Sequence, residues 1–233
     1  MEAVVYIGHG NRSPVGRQAY LKFIQNTMDA VQAPIKEYCF YERAEPTLND
    51  AIEQCIRQGA TTIKVVPVLL LPGKQTSEEM PNDINIFEKQ YPEVSFVLGE
   101  PIGTNTVMFD IVEERLKSQS FLRSEKEAVV LVSHGSHDPL ASCEFNRLAE
   151  ALSDELMVIV ETGYIVTEPN YQNICQDLLN KNFEKIFIVP YFFFAGVFLE
   201  EMKSATENNE KIIICNELGY DEKISQLLIK AAL

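Results

Sequence analysis

Two kinds of hydrophobic spacing alternate along the chain. Short apolar runs bounded by glycine, VVYIG (4–8), IKVVPVLLL (63–71) and VSFVLGE (94–100), are rich in β-branched residues and show no clean polar face. Such runs suit strands buried on both sides, as in a parallel sheet held between helix layers. Between them, apolar positions recur at helical spacing in RQAYLKFIQNTMDAV (17–31) and PTLNDAIEQCIRQG (46–59). The second helix opens at a proline and closes at Gly59, ordinary start and stop signals. VQAPIKEYCFYE (31–42) supplies another strand. The alternation predicts βαβ units, in which ligands bind at the carboxyl ends of the strands.

The pattern is written twice. AVVYIGHG (3–10) returns as AVVLVSHG (128–135), and AEPTLNDAIEQCIRQGATTIKVVPVLLLPG (44–73) returns as TEPNYQNICQDLLNKNFEKIFIVPYFFFAG (167–196). EEM follows each, at 78–80 and 200–202. Matching order at a near-constant offset marks a duplicated domain, with the seam near SQSFLRSEKE (118–127). The expected fold class is therefore α/β: two similar domains, 1–120 and 121–233, each a parallel sheet of about four strands flanked by helices.

Composition narrows the partners. At 46% hydrophobic and 23% charged residues the chain reads as an ordinary globular protein, and no apolar run approaches the roughly 20 residues that span a bilayer. The N-terminus lacks the basic flank of a signal peptide, so a cytoplasmic location and no membrane association are expected. A net charge of −14 argues against nucleic acid. An acidic field attracts divalent cations and repels polyanions, so an anionic ligand would need local cations. The five cysteines are scattered without a CxxC pair, which suits buried small hydrophobes better than a zinc or disulfide frame.

Only three histidines occur, and two of them, His9 and His134, sit at corresponding places in the repeats. His9 directly follows the first strand, between Gly8 and Gly10, where the backbone can turn sharply and a ligand can approach closely. Two other strand ends converge on that edge. CFYERAEPT carries Glu42, Arg43 and Glu45, the last with a charge suited to the start of a helix. VVPVLLLPGKQTSEEMP carries Lys74, Gln75, Glu78 and Glu79. An imidazole and a carboxylate at one mouth can bind a transition metal or move protons.

GHG followed by Asn-Arg, F-x-E-x-x-E-P-T and VVPVLLLPG with an acidic helix start together resemble the class II tetrapyrrole chelatases. Within them they look like the sirohydrochlorin chelatases (ferrochelatase/cobaltochelatase, lyases), over essentially the whole chain, duplication included. The resemblance implies two α/β halves facing across a cleft that holds the macrocycle. It implies ATP-independent insertion of Fe²⁺ or Co²⁺, with Ni²⁺ also suited, into sirohydrochlorin for siroheme or cobalamin biosynthesis. The metal is a substrate, and no organic cofactor is needed. The GHG histidine of the family coordinates the metal and helps take up pyrrole protons, which maps onto His9; the strand 2 glutamate maps onto Glu42. The family's second histidine falls at Gln75, whose carboxamide is a weaker, harder ligand and no base near neutral pH. His9, Glu42 and Gln75 are the expected metal set.

The ring carries eight carboxylates, and Gly10, Arg12, Arg43, Lys74 and His134 are the expected substrate contacts, with Arg17 also near in sequence. In the second repeat Ile165 stands where Glu42 would be and Phe198 stands opposite Gln75, so the first half is expected to be the active one. His134, beside the aromatic Tyr191 to Phe194 run, would contact the macrocycle or carry protons, and His137 reads as a polar loop residue. Since two repeats complete a cleft, a monomer is expected. One alternative is a weakened chelatase-like protein that holds a tetrapyrrole or metal for delivery or sensing. Another, a histidine phosphatase, would have Arg before the strand-end histidine, where this chain has Gly8.

Overall fold

Each sheet is built from four parallel strands in the order of a split βαβ unit, with the two most apolar strands in the middle. The computed structural model describes residues 1–11, 13–42 and 44–233. The first sheet runs β2(Ile35–Phe40)-β1(Glu2–Gly8)-β3(Thr62–Val68)-β4(Ser95–Leu98), and the second β6(Ile159–Tyr164)-β5(Glu127–Ser133)-β7(Lys185–Pro190)-β8(Ile212–Ile214). VVYIG and IKVVPVLLL form the central strands β1 and β3, covered on both faces like β5 and β7, whereas VSFVLGE forms the edge strand β4, where Ser95 and Val97 are exposed. Leu69 to Leu71 lie beyond the end of β3, which stops at Val68. The helices are α1(Pro14–Ala30), α2(Leu48–Arg57), α3(Met80–Gln90), α4(Thr106–Lys117), α5(Pro139–Leu156), α6(Tyr171–Asn180), α7(Val197–Thr206) and α8(Glu222–Ala232).

By internal contacts the chain forms two units, Met1–Gly103 with Glu222–Leu233, and Thr104–Asp221. These do not follow the repeat seam. A division at 120/121 leaves α4 with the first repeat and α8 with the second, whereas α8 packs on β3 and α1 in the first unit, and α4 packs on β7 in the second. The reason is visible in side chains. In the first unit Tyr6 of β1 donates its hydroxyl to the Leu228 carbonyl at 3.1 Å, and buried Thr27 of α1 meets Ser225 of α8 at 2.8 Å. Ile224 and Leu228 are buried against that layer. In the second unit Arg115 of α4 donates to the carbonyls of Glu217 and Leu218 and pairs with Asp221 at 3.0 Å.

The opposite face of the first sheet is closed by α2 and α3, whose Leu48, Ile52, Cys55, Met80, Ile84 and Phe87 join Val5, Ile7 and Val65 in one buried cluster. The second unit repeats this with Tyr171, Cys175, Leu178 and Met202 against Val130, Val132 and Ile188. Helix α2 starts at a capping box in which Thr47 and Asp50 satisfy each other's backbone N–H groups. The acidic residue in the first turn is thus Asp50; Glu45 lies outside the helix and is exposed.

Four cysteines are buried as expected, but Cys143 is exposed on α5. Burial pushes the thiols of Cys55, Cys175 and Cys215 up to about 12, and that of Cys39 further still. Native protein treated with a maleimide is therefore expected to label at Cys143 alone, with all five thiols reacting after denaturation; peptide mapping checks this.

Candidate active site

The site of the first unit is assembled by continuing the β1–β2 pairing past the strand ends. Tyr41 N–H donates to the Gly8 carbonyl at 2.8 Å and Glu42 N–H to the His9 carbonyl at 3.0 Å, so the carboxylate is carried alongside the imidazole. This is possible because residue 10 is glycine. Gly10 has φ +96°, and a Cβ there would lie 1.8 Å from the Glu42 carbonyl oxygen. At Gly8 the crowding atoms belong to the Tyr20 ring, 2.7 Å from a would-be Cβ. The close approach expected of a ligand is thus made in both places by the chain itself.

The third strand end contributes Gln75. The turn after β3 is locked by Thr76 and Ser77 N–H groups donating to the Gly73 carbonyl, each at 2.9 Å, and by Gly73 N–H donating to Thr76 Oγ1 at 3.0 Å. Residues Gln75–Glu79 then form a π-helical turn in which Met80 N–H donates back to the Gln75 carbonyl. Such turns favour functional sites. They present Gln75 between the other two groups: His9 Nδ1 lies 3.1 Å from Gln75 Oε1, and Gln75 Nε2 donates to Glu42 Oε1 at 3.2 Å. His9 and Glu42 are exposed and Gln75 half-buried, so the trio faces open space at the carboxyl edge of the sheet.

Among the described residues the surroundings are acidic. Lys74 pairs with Glu79 at 3.3 Å, and Tyr41 donates to Asp83 at 3.1 Å; burial and the two carboxylates Asp83 and Glu79 push the Tyr41 hydroxyl well above its ordinary range. Lys74 is thus already engaged by a carboxylate. Arg12 and Arg43 lie outside the described residues. Among the described residues no group of three or more His, Cys, Asp or Glu side chains is placed to hold a metal ion.

The second unit keeps the backbone of this site and replaces its chemistry. Ile165 N–H donates to the Ser133 carbonyl and Val166 N–H to the His134 carbonyl, the bonds made by Tyr41 and Glu42 in the first unit. Val166, not Ile165, therefore occupies the place of Glu42. The 164–169 loop is one residue shorter than its counterpart, as the Tyr164-to-Pro169 and Phe40-to-Pro46 hydrogen bonds show, and this slips the gapless pairing of the repeats. His134 packs its ring 5.4 Å from Phe198, which itself stacks on Phe192 at 6.0 Å. His137 is exposed. A half-buried carboxyl missed by sequence reasoning, Glu217, accepts from Ala195 N–H and is raised by burial. It follows β8 with no motif to announce it, and it braces the loop after β7.

A strand-end imidazole–amide–carboxylate chain on one half of a duplicated α/β fold defines a metal- or proton-handling protein of the chelatase kind. Comparison with known proteins agrees. The CbiX family model matches residues 3–119 and again 128–232. The chain is 32% identical over 98% of its length to a sirohydrochlorin ferrochelatase of Priestia megaterium, covering 88% of that protein. It is 28% identical over its full length to a sirohydrochlorin cobaltochelatase of the same organism, covering 79% of it. The solved structure of the sirohydrochlorin chelatase SirB from Bacillus subtilis subspecies spizizenii in complex with cobalt superposes with a TM-score of 0.84 at 27% identity, covering 99% of this chain and 93% of that one. The chain belongs to the CbiX family.

Proposed function

We propose that this protein inserts a divalent metal ion, Fe²⁺ or Co²⁺, into sirohydrochlorin without nucleotide hydrolysis. The observation that carries the reading is the single hydrogen-bonded chain His9–Gln75–Glu42 at the carboxyl edge of the first sheet. Both curated relatives are named for this substrate, one for each metal. The acidic mouth favours a dication. Fe²⁺, Co²⁺ and Ni²⁺ all suit imidazole with carboxylate, so ligand type does not select among them.

Insertion exchanges two pyrrole N–H protons for one M²⁺. His9 presents the ion through a ring nitrogen. As the ion passes to the macrocycle nitrogens, that lone pair is released and accepts one proton, and Glu42 accepts the other. The first unit carries the chemistry. Among the described residues no helix is long and apolar enough to cross a membrane, and we place the protein in the cytoplasm as a monomer.

The test is spectrophotometric. Purified protein mixed with sirohydrochlorin and each metal in turn is expected to convert the free-ring spectrum to the metallated one faster than the uncatalysed mixture. Tight binding of ring or metal with no gain in rate would assign it a holding role instead.

A further inference from the structure

We propose that Gln75 is a positioning residue that fixes the tautomer of His9, so that Nε2 is the metal-presenting nitrogen. This rests on the reading of His9 and Glu42 above, and deepens it.

The argument is one of donors and acceptors. An ionised carboxylate only accepts, so the Gln75 group facing Glu42 Oε1 at 3.2 Å is the amide NH₂. That leaves the amide oxygen facing His9 Nδ1 at 3.1 Å, and an amide oxygen only accepts. Nδ1 therefore carries the proton, and in the neutral ring the lone pair lies on Nε2. Glu42 thus sets the orientation of the amide it touches, and the amide sets the tautomer of the ring. Without such a partner, a neutral imidazole in water populates both tautomers and favours the proton on Nε2, the form with that nitrogen closed to a metal.

The mount supports the assignment. Gln75 stands on the locked Gly73–Ser77 turn and opens the π-helical turn, so its backbone is held on both sides. Both ends of its side chain are in use, the NH₂ on Glu42 and the oxygen on His9 Nδ1. In this chain the position acts on the histidine ligand from behind, as carbonyl and carboxylate partners do for metal-bound imidazoles. The second unit shows what its loss leaves. There Phe198 stands at the place of Gln75, and the His134 ring packs against it at 5.4 Å.

The test is made on metal-free, substrate-free protein labelled with ¹⁵N-histidine, in alkaline buffer. Long-range ¹H–¹⁵N NMR distinguishes the tautomers, and with three histidines His9→Ala and His137→Gln suffice to assign the signals. Wild type is expected to show His9 protonated at Nδ1. Gln75→Leu is expected to move it to a mixture dominated by Nε2–H, and so is Glu42→Ala, which frees the amide to turn over. Gln75→Glu keeps an acceptor and is expected to keep Nδ1–H. Cobalt affinity, followed by visible absorption, is expected to fall about 10-fold in Gln75→Leu. Wild-type His9 with its proton mainly on Nε2, or an unchanged tautomer in Gln75→Leu, overturns the proposal. A fixed Nδ1–H tautomer in a protein that inserts no metal counts against the chelatase reading and leaves the positioning intact.

Discussion

His9→Ala is expected to lower the rate of metal insertion into sirohydrochlorin by about 10²-fold or more, the usual range for removing a positioned proton acceptor, with the loss of a metal ligand added. Stability should barely change. His9 is exposed, lies beyond the end of β1 and, among the described residues, makes one side-chain hydrogen bond, to Gln75. The fall should therefore appear in kcat as well as in apparent metal affinity, while the melting temperature stays close to wild type. His134→Ala makes the comparison. Val166 and Phe198 occupy the places of the carboxylate and amide there, so kcat is expected to be largely retained. Initial rates at varied Co²⁺ and ring concentrations, corrected for the uncatalysed reaction, check both. An unimpaired His9→Ala would remove the chemical role from the first mouth.

Gly10→Ala is expected to be the most damaging single methyl group in the first unit. A Cβ at 1.8 Å from the Glu42 carbonyl oxygen cannot be accommodated by a rotamer, because the obstacle is backbone. A side chain at φ +96° adds strain of about 1–3 kcal/mol, and forcing the two segments apart adds about 1–3 kcal/mol more. A total of about 4 kcal/mol should lower the melting temperature by roughly 8–16 °C in a protein of this size. The displaced segment carries Glu42, so insertion should fail along with stability. Gly219→Ala isolates the clash. It also requires a positive φ, +70°, but nothing lies within 4 Å of its would-be Cβ, and only the smaller backbone cost is expected. Thermal melts of the two variants side by side measure the difference, and a Gly10→Ala protein that melts with wild type would refute the close approach.

The strands were readable because they are buried on both faces: VVYIG and IKVVPVLLL have no polar phase to mislead, and their repetition placed both sheets. His9 and Glu42 were readable because a strand end points only one way in a parallel sheet. Other features depend on matters that spacing does not encode. Which sheet α4 and α8 cover is decided by tertiary partners such as Ser225 on Thr27 and Arg115 on the 217–221 segment, and an amphipathic stretch looks the same whichever sheet receives it. The substitution of Val166 for Glu42 is hidden by a one-residue difference in loop length. Glu45 looked like a helix-start residue because Pro46 precedes the helix, yet the cap is formed by Thr47 with Asp50. Gln75 reads in sequence as a degraded ligand. Only the direction of its amide, fixed by a carboxylate on one side and a ring nitrogen on the other, gives it work of its own.

The exchange of terminal helices bears on the order in which the protein can mature on the ribosome. Domains generally fold as units, the N-terminal one first, but here the wall formed by Ile224 and Leu228 is translated after every residue from Thr104 to Asp221. The second unit is contiguous and can close while the first still waits with Tyr6 and Thr27 unsealed. The unit bearing His9 and Glu42 is thus the last to be finished, and a nascent chain halted before residue 222 would hold a completed second unit and a first one still open on one face.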